Sequence, residues 1–105
     1  MTIWHTRQEK KIIKSMGAKP HHPGYDGVLP NGQPVEVRAS RKDDRYRIQQ
    51  DVHKQMVAKN GVYVFTDGSK TENVPAREVS QIMGPGNWYK DRNYPHRFIK
   101  KEDIF

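Results

Sequence analysis

The hydrophobic positions of this chain change period along its length, and the changes mark its elements. Ile12, Ile13 and Met16 recur at helical spacing behind Thr6-Arg7-Gln8-Glu9, which has the form of a capping box. A helix is therefore predicted from Thr6 to about Met16, with Gly17 as its stop. Residues 18–24, AKPHHPG, carry two prolines and a glycine and read as a loop. Beyond them the period falls to two: Val35, Val37 and Ala39 alternate with Glu36, Arg38 and Ser40, as on a strand with one core face and one face for chemistry. Arg45-Tyr46-Arg47-Ile48 alternates again, predicting a third strand with Tyr46 and Ile48 inward. Gln49 to Asn60 places Val52, Met56 and Lys59 at helical spacing and ends at Gly61, after which Val62–Thr66, the most apolar run, suits a central buried strand turned by Asp67-Gly68. Asn73-Val74-Pro75 leads into a short helix to about Met83, with Pro75 in its first position and Gly84-Pro85-Gly86 at its end. Arg97-Phe98-Ile99 reads as an edge strand. No repeat, low-complexity tract or linker divides the chain, so residues 1–105 form one domain.

The stretch GYDGVLPNGQPVEVRAS, residues 24–40, is the most informative. Leu29-Pro30-Asn31-Gly32-Gln33 puts proline where a type I turn wants φ near −65°, then asparagine and glycine where φ goes positive. A three-residue loop of Pro30, Asn31 and Gly32 pairs Leu29 with Gln33 and brings Asp26 opposite Glu36. Opposed residues share a sheet face with Cβ atoms roughly 5 Å apart. Two carboxylates so placed repel each other unless a hard divalent cation such as Mg²⁺ joins them. The competing register has Asn31-Gly32 alone as a two-residue turn; Asp26 then falls opposite Val37 and faces away from Glu36.

Composition sharpens the functional expectation. Apolar residues make up 33% and charged residues 30% of the chain, near the disordered boundary, yet the aromatics and strand-like runs argue for a fold. A net charge of +7 and a pI near 9.8 favour an anionic partner, nucleic acid first. With no cysteine, neither a disulfide framework nor a thiolate zinc site is available. No stretch approaches the ~20 apolar residues of a membrane span and no signal core follows Met1, so a soluble cytoplasmic protein is expected, without a membrane partner. Lys10, Lys11 and Lys14 lie on the wet side of the first helix, where they track phosphates or simply solvate it. Arg45 and Arg47 around Tyr46 interleave basic and aromatic groups as nucleic-acid surfaces do, a pattern that equally suits an ordinary strand. His21 and His22 precede Asp26 and are candidates to hold a metal-bound water or a phosphate, or are plain surface residues.

Helix, three strands, helix, strand, with acids on the first helix and the first two strands, resembles the PD-(D/E)XK nuclease superfamily and, within it, the archaeal Holliday-junction resolvases. The matching residues are Glu9, Asp26, Glu36-Val37-Arg38 and RKDDRYRI leading into the helix that ends at Asn60-Gly61, and more loosely the C-terminal RFIKKEDIF. The resemblance implies an α/β, restriction-endonuclease-like fold: a mixed β-sheet in αβββαβ order flanked by helices. It implies an Mg²⁺- or Mn²⁺-dependent endodeoxyribonuclease, a homodimer acting on DNA, branched DNA included. Asp26, Glu36 and the Val37 carbonyl would be metal ligands and Glu9 a further one through water, though capping alone also explains Glu9. Asp26, Glu36 and Arg38 would be catalytic; Lys10, Lys14, Arg41, Lys42, Arg45 and Arg47 would meet the nucleic acid. Gln49 and Gln50 correspond to a glutamine some members bring near the phosphate, or merely open a surface helix. The chain departs from the pattern at Arg38, where lysine is usual: arginine stays charged and cannot take a proton. Either Arg38 acts electrostatically, or Lys42 reaches in, or activity is weak; a nuclease-fold binding module that has lost turnover is the alternative.

Overall fold

A computed structural model describes residues 2–20, 24–90 and 94–105, so His21 and His22 lie outside the described residues. Helix α1 (Thr2–Ser15) begins before the point the sequence pattern indicates. Thr6 therefore sits inside the helix and is not its N-cap; the Thr6…Glu9 pattern imitates a capping box, and Glu9 is released from that role. The other end is as expected. Gly17 takes φ 68°, a left-handed conformation glycine enters without a Cβ penalty, and the Ala18 amide closes the helix on the Ile13 carbonyl at 3.1 Å.

Strands β1 (Lys19–Pro20), β2 (Gly27–Val28), β3 (Pro34–Ala39) and β4 (Arg45–Gln49) follow, then α2 (Gln50–Ala58), β5 (Val62–Thr66), β6 (Thr71–Pro75), α3 (Ala76–Met83), β7 (His96–Lys100) and α4 (Lys101–Ile104). Five strands form a mixed sheet in the order β1-β2-β3-β5-β6, in which β3 and β5 run parallel and the other pairs antiparallel. This is the mixed α/β, restriction-endonuclease-like architecture, with three corrections to the expected order, the first being that residues 19–20 of the expected 18–24 loop form β1 beside β2. The third strand of the pattern, β4, leaves the main sheet and pairs antiparallel with β7 in a separate ribbon. A strand without a hydrophobic signal, β6, takes the sheet's edge beside β5; of its five residues only Val74 is buried. Pro75 precedes α3 as its N-cap rather than opening it. Likewise Asn60, at φ 55°, takes the left-handed position after α2, while Gly61 is needed for space: a Cβ there would lie 2.6 Å from Met56 Cε and 3.1 Å from the Pro34 carbonyl.

The sheet separates two cores. Ile13 of α1 covers Val35, Val37 and Val64, and on the other side Tyr63 and Phe65 pack with Tyr46, Ile48, Met56, Val79 and Ile99. Within the second core His53 bridges the Tyr63 hydroxyl (3.0 Å) and the Ser80 hydroxyl (2.7 Å). Both faces of β3 are thus covered, and the expected split into a core face and an open polar face does not hold: Glu36 is only 6% exposed. Among the described residues no helix is long and apolar enough to cross a membrane.

Candidate active site

The hairpin adopts the three-residue loop. The Leu29 amide donates to the Gln33 carbonyl (2.9 Å), the Gly32 amide returns to Leu29 (2.8 Å), and Asn31 Oδ1 accepts from the Gln33 amide (2.9 Å). Gly27 pairs with Val35 and Val28 with Pro34, the register that counts Asp26 toward Glu36. At Asp26 the ladder tightens: its amide also turns to the Val35 carbonyl (3.0 Å), and its Oδ2 accepts from the Val37 amide (2.8 Å). Asp26 is therefore clamped to β3 twice, through its backbone and through its carboxylate.

Backbone parity places the next donor atom. The Ser40 amide bonds the Thr66 carbonyl of β5, so even-numbered residues of β3 direct their peptide groups at β5 and odd-numbered ones at the β2 edge. In a strand the N–H and C=O of one residue point the same way. The Val37 carbonyl accordingly faces the edge where Asp26 lies, just before the first residue of β2.

Glu9 arrives from α1, which lies on the valine side of the sheet, and Glu36 from the opposite side. A Cβ on Gly27 would stand 2.8 Å from Ile13 Cδ1 and 3.1 Å from the Lys19 carbonyl, so the missing side chain lets α1 press onto the hairpin. The Asp26 carboxyl lies close enough to Glu9 and to Glu36 to raise both, and the Glu9 charge also acts on Glu36. The three acids form a chain across the sheet edge with Asp26 in the middle. Burial, then the Asp26 charge, push Glu36 up to about 8 against the partly offsetting Arg38. Burial and the Asp26 hydrogen bond likewise raise Glu9 to about 7, opposed by Arg38 and Lys10.

Arg38 Nη1 lies 3.5 Å from Glu36 Oε2, and its buried Nε has no hydrogen-bond partner among the described residues. Arg38 borders two adjoining clefts. One of about 210 Å³ is lined by His5, Thr6, Glu9, Val37, Arg38 and Ala39. A second of about 480 Å³ continues from His5, Arg38 and Ala39 to Arg45, Arg47, Tyr94 and Phe98, with Asp43 and Asp44 on its wall. Of the residues proposed from sequence, the structure brings together Glu9, Asp26, Glu36, Val37 and Arg38, and sets Arg45 and Arg47 along the adjoining cleft. Arg41 stacks over Trp4 at 5.0 Å, and Lys42 lines a small cleft with Trp4 and His5 rather than reaching Glu36. Lys10 and Lys14 stand exposed on α1, and neither lines these clefts. Gln49 and Gln50 start α2 without lining them either. Sequence reasoning missed His5; once α1 is known to start at Thr2, its spacing of one helical turn from Glu9 puts both on one face.

Among the described residues, no group of three or more His, Cys, Asp and Glu closes on a common point to hold an ion by itself. The chemistry of this donor set nonetheless fits a divalent cation. Hard oxygens dominate, the Val37 carbonyl faces them, and burial among like charges raises Glu9 and Glu36, a cost that added positive charge would relieve.

A sequence model of the PD-(D/E)XK nuclease superfamily domain matches residues 4–104. The chain belongs to that superfamily. The membership implies nuclease chemistry, and nucleases of this superfamily typically use divalent metals. No curated protein and no solved structure matches the chain.

Proposed function

We propose that the protein is an Mg²⁺- or Mn²⁺-dependent endonuclease hydrolysing phosphodiester bonds of DNA. The observation that carries this is the chain of Glu9, Asp26 and Glu36 at the open edge of β3, next to Arg38 and bordered by a cleft. Asp26, Glu36 and the Val37 carbonyl would hold the ion, with Glu9 as an outer partner. When bound, such an ion neutralises charge on the phosphate and acidifies water.

The chain's own groups define the remaining roles. The Val37 amide fixes the Asp26 carboxylate before any ligand arrives. Arg38, permanently charged, orients a phosphate oxygen and stabilises the negative charge that builds on it, but takes no proton. The net charge of +7 supports DNA as the polyanion, with the junction resolvases as the source for branched DNA and for a homodimer that places two sites on two strands. Supercoiled plasmid and a four-way junction, each with Mg²⁺ or Mn²⁺, test the proposal. Cleavage is expected from the wild type and its loss, by about 10³-fold or more, from Asp26→Asn and Glu36→Gln. Cleavage that survives both substitutions would mean that the activity does not come from this site.

A further inference from the structure

We infer that the substrate strand leaving this site is unpaired, and that it runs from Arg38 over an arginine–aromatic platform on the β4–β7 ribbon. The inference rests on the nuclease proposal for where the strand is cut, and on separate residues for how it is held.

In the ribbon, Arg45 pairs with Lys100 and Arg47 with Phe98, so these four side chains share the outward face while Tyr46 and Ile99 are buried beneath. The Arg45 guanidinium carbon lies 3.8 Å from the centre of the Phe98 ring and that of Arg47 5.5 Å from it. Arg47 Nη1 reaches the Tyr94 hydroxyl at 3.4 Å. Arg45 and Phe98 together form a wall between two clefts. On one side is the cleft of about 480 Å³ that begins at Arg38; on the other is one of about 580 Å³ that adds Tyr89, His96 and Arg97. Arg97 is committed elsewhere, donating to the Met83 and Gly84 carbonyls at the end of α3, and contributes shape rather than a phosphate contact.

Charge and shape together select the occupant. Arg38, Arg45 and Arg47 outweigh Asp43 and Asp44 in the first cleft, which suits a polyanion. Both clefts fall in the range of about 300–1,000 Å³ that encloses small ligands, room for a nucleotide rather than a double helix. Duplex DNA keeps its base faces stacked inside and offers a protein phosphates and groove edges. Phe98, Tyr94 and Tyr89 find nothing to stack on there. A single strand presents both base faces and a charged backbone, the combination that alternating arginine and aromatic side chains bind.

The experiment is fluorescence anisotropy in EDTA, so that no cleavage intervenes, with oligo(dT), a duplex bearing a single-stranded tail, and a blunt duplex as probes. The wild type is expected to bind the first two about ten-fold or more tighter than the third. Phe98→Leu, which keeps apolar cover on the ribbon, and Arg45→Gln are each expected to weaken the unpaired probes by about ten-fold and the blunt duplex far less. Equal binding of all three probes, or an equal effect of both variants on all three, overturns the inference. An oligo(rU) probe that binds tighter than oligo(dT) overturns DNA as the strand. The two proposals fail separately. Asp26- and Glu36-dependent cutting of blunt duplex that ignores Phe98→Leu leaves a nuclease without this strand path. A Phe98-dependent preference for unpaired probes, with no cutting of any DNA in Mg²⁺ or Mn²⁺, ends the nuclease proposal and supports the path alone.

Discussion

Raising the pH should destabilise the metal-free protein through Glu36, and Glu36→Gln should remove the effect. Between the ordinary 4.5 and about 8, the folded protein keeps a proton on Glu36 that the unfolded chain has already lost. Each pH unit in that window therefore favours unfolding by about 1.4 kcal/mol, and from about pH 5.5 to about pH 8 the loss is on the order of 3 kcal/mol. For a chain of this size that is on the order of 10 °C or more in Tm. Glu9, raised to about 7, adds with the same sign in the lower part of the window. His53 works against it: burial, then Arg97, lower it from 6.5, so its contribution grows as pH rises toward that value. Differential scanning fluorimetry of both proteins at constant ionic strength cancels His53, because it is present in each. Glutamine mimics a permanently protonated Glu36, so the variant should gain on the wild type as pH rises. Mg²⁺ or Mn²⁺ needs the ionised acids and should stabilise the wild type more at the alkaline end, with little effect on the variant. A Tm difference between wild type and Glu36→Gln that stays flat across the window would refute the placement of a buried, proton-holding acid here.

Further outcomes follow from other contacts. Arg38→Lys should retain or raise plasmid cleavage, since lysine keeps the charge near Glu36 and can lose its proton; complete loss of an existing activity would show that arginine itself is required. Gly27→Ala should push Ile13 and α1 off the hairpin, costing about 1–3 kcal/mol in urea melts and lowering cleavage further as Glu9 moves from Asp26. His53→Ala should cost about 2–4 kcal/mol in the same melts, because it opens a cavity and leaves the buried Tyr63 hydroxyl without its partner; unchanged stability would argue against that bridge.

What was legible in the sequence was what local chemistry decides. Pro30-Asn31-Gly32 chose the turn, the turn chose the register, and the register brought Asp26 to Glu36. The apolar run of β5 and the glycine after α1 were equally direct. Non-local choices were not legible. The pattern at 45–48 shows which residues face inward, but not that β7, fifty residues on, would be a better partner than β3. β6 carries one buried side chain and so no period to detect. Thr6 and Glu9 satisfied a capping rule that the helix overrode by starting earlier, which also hid His5. Phe98 read as part of an edge strand, and its place against Arg45 depends on a pairing that only the fold reveals.

The acids are held by two different means, and this divides the ways the site can be damaged. Asp26 is fixed by peptide groups: its amide to Val35 and its carboxylate to the Val37 amide. Those bonds exist only in the three-residue-loop register; the two-residue turn would set Asp26 opposite Val37 and send it to the other side of the strand. Glu9 has no such tether, and its distance from Asp26 depends on how closely α1 seats on Gly27 and the valines of β3. Changes in the hairpin loop therefore act on the Asp26–Glu36 pair, whereas changes in the α1 core act on Glu9 and leave that pair standing. Since the cleft beside Glu9 is walled by His5 and Thr6 of the same helix, loosening α1 also widens the passage from the carboxylates toward Arg45 and Phe98. On the proposed roles, loosening α1 would alter Glu9 and the strand path together, while the Asp26–Glu36 pair would keep its own backbone-set geometry.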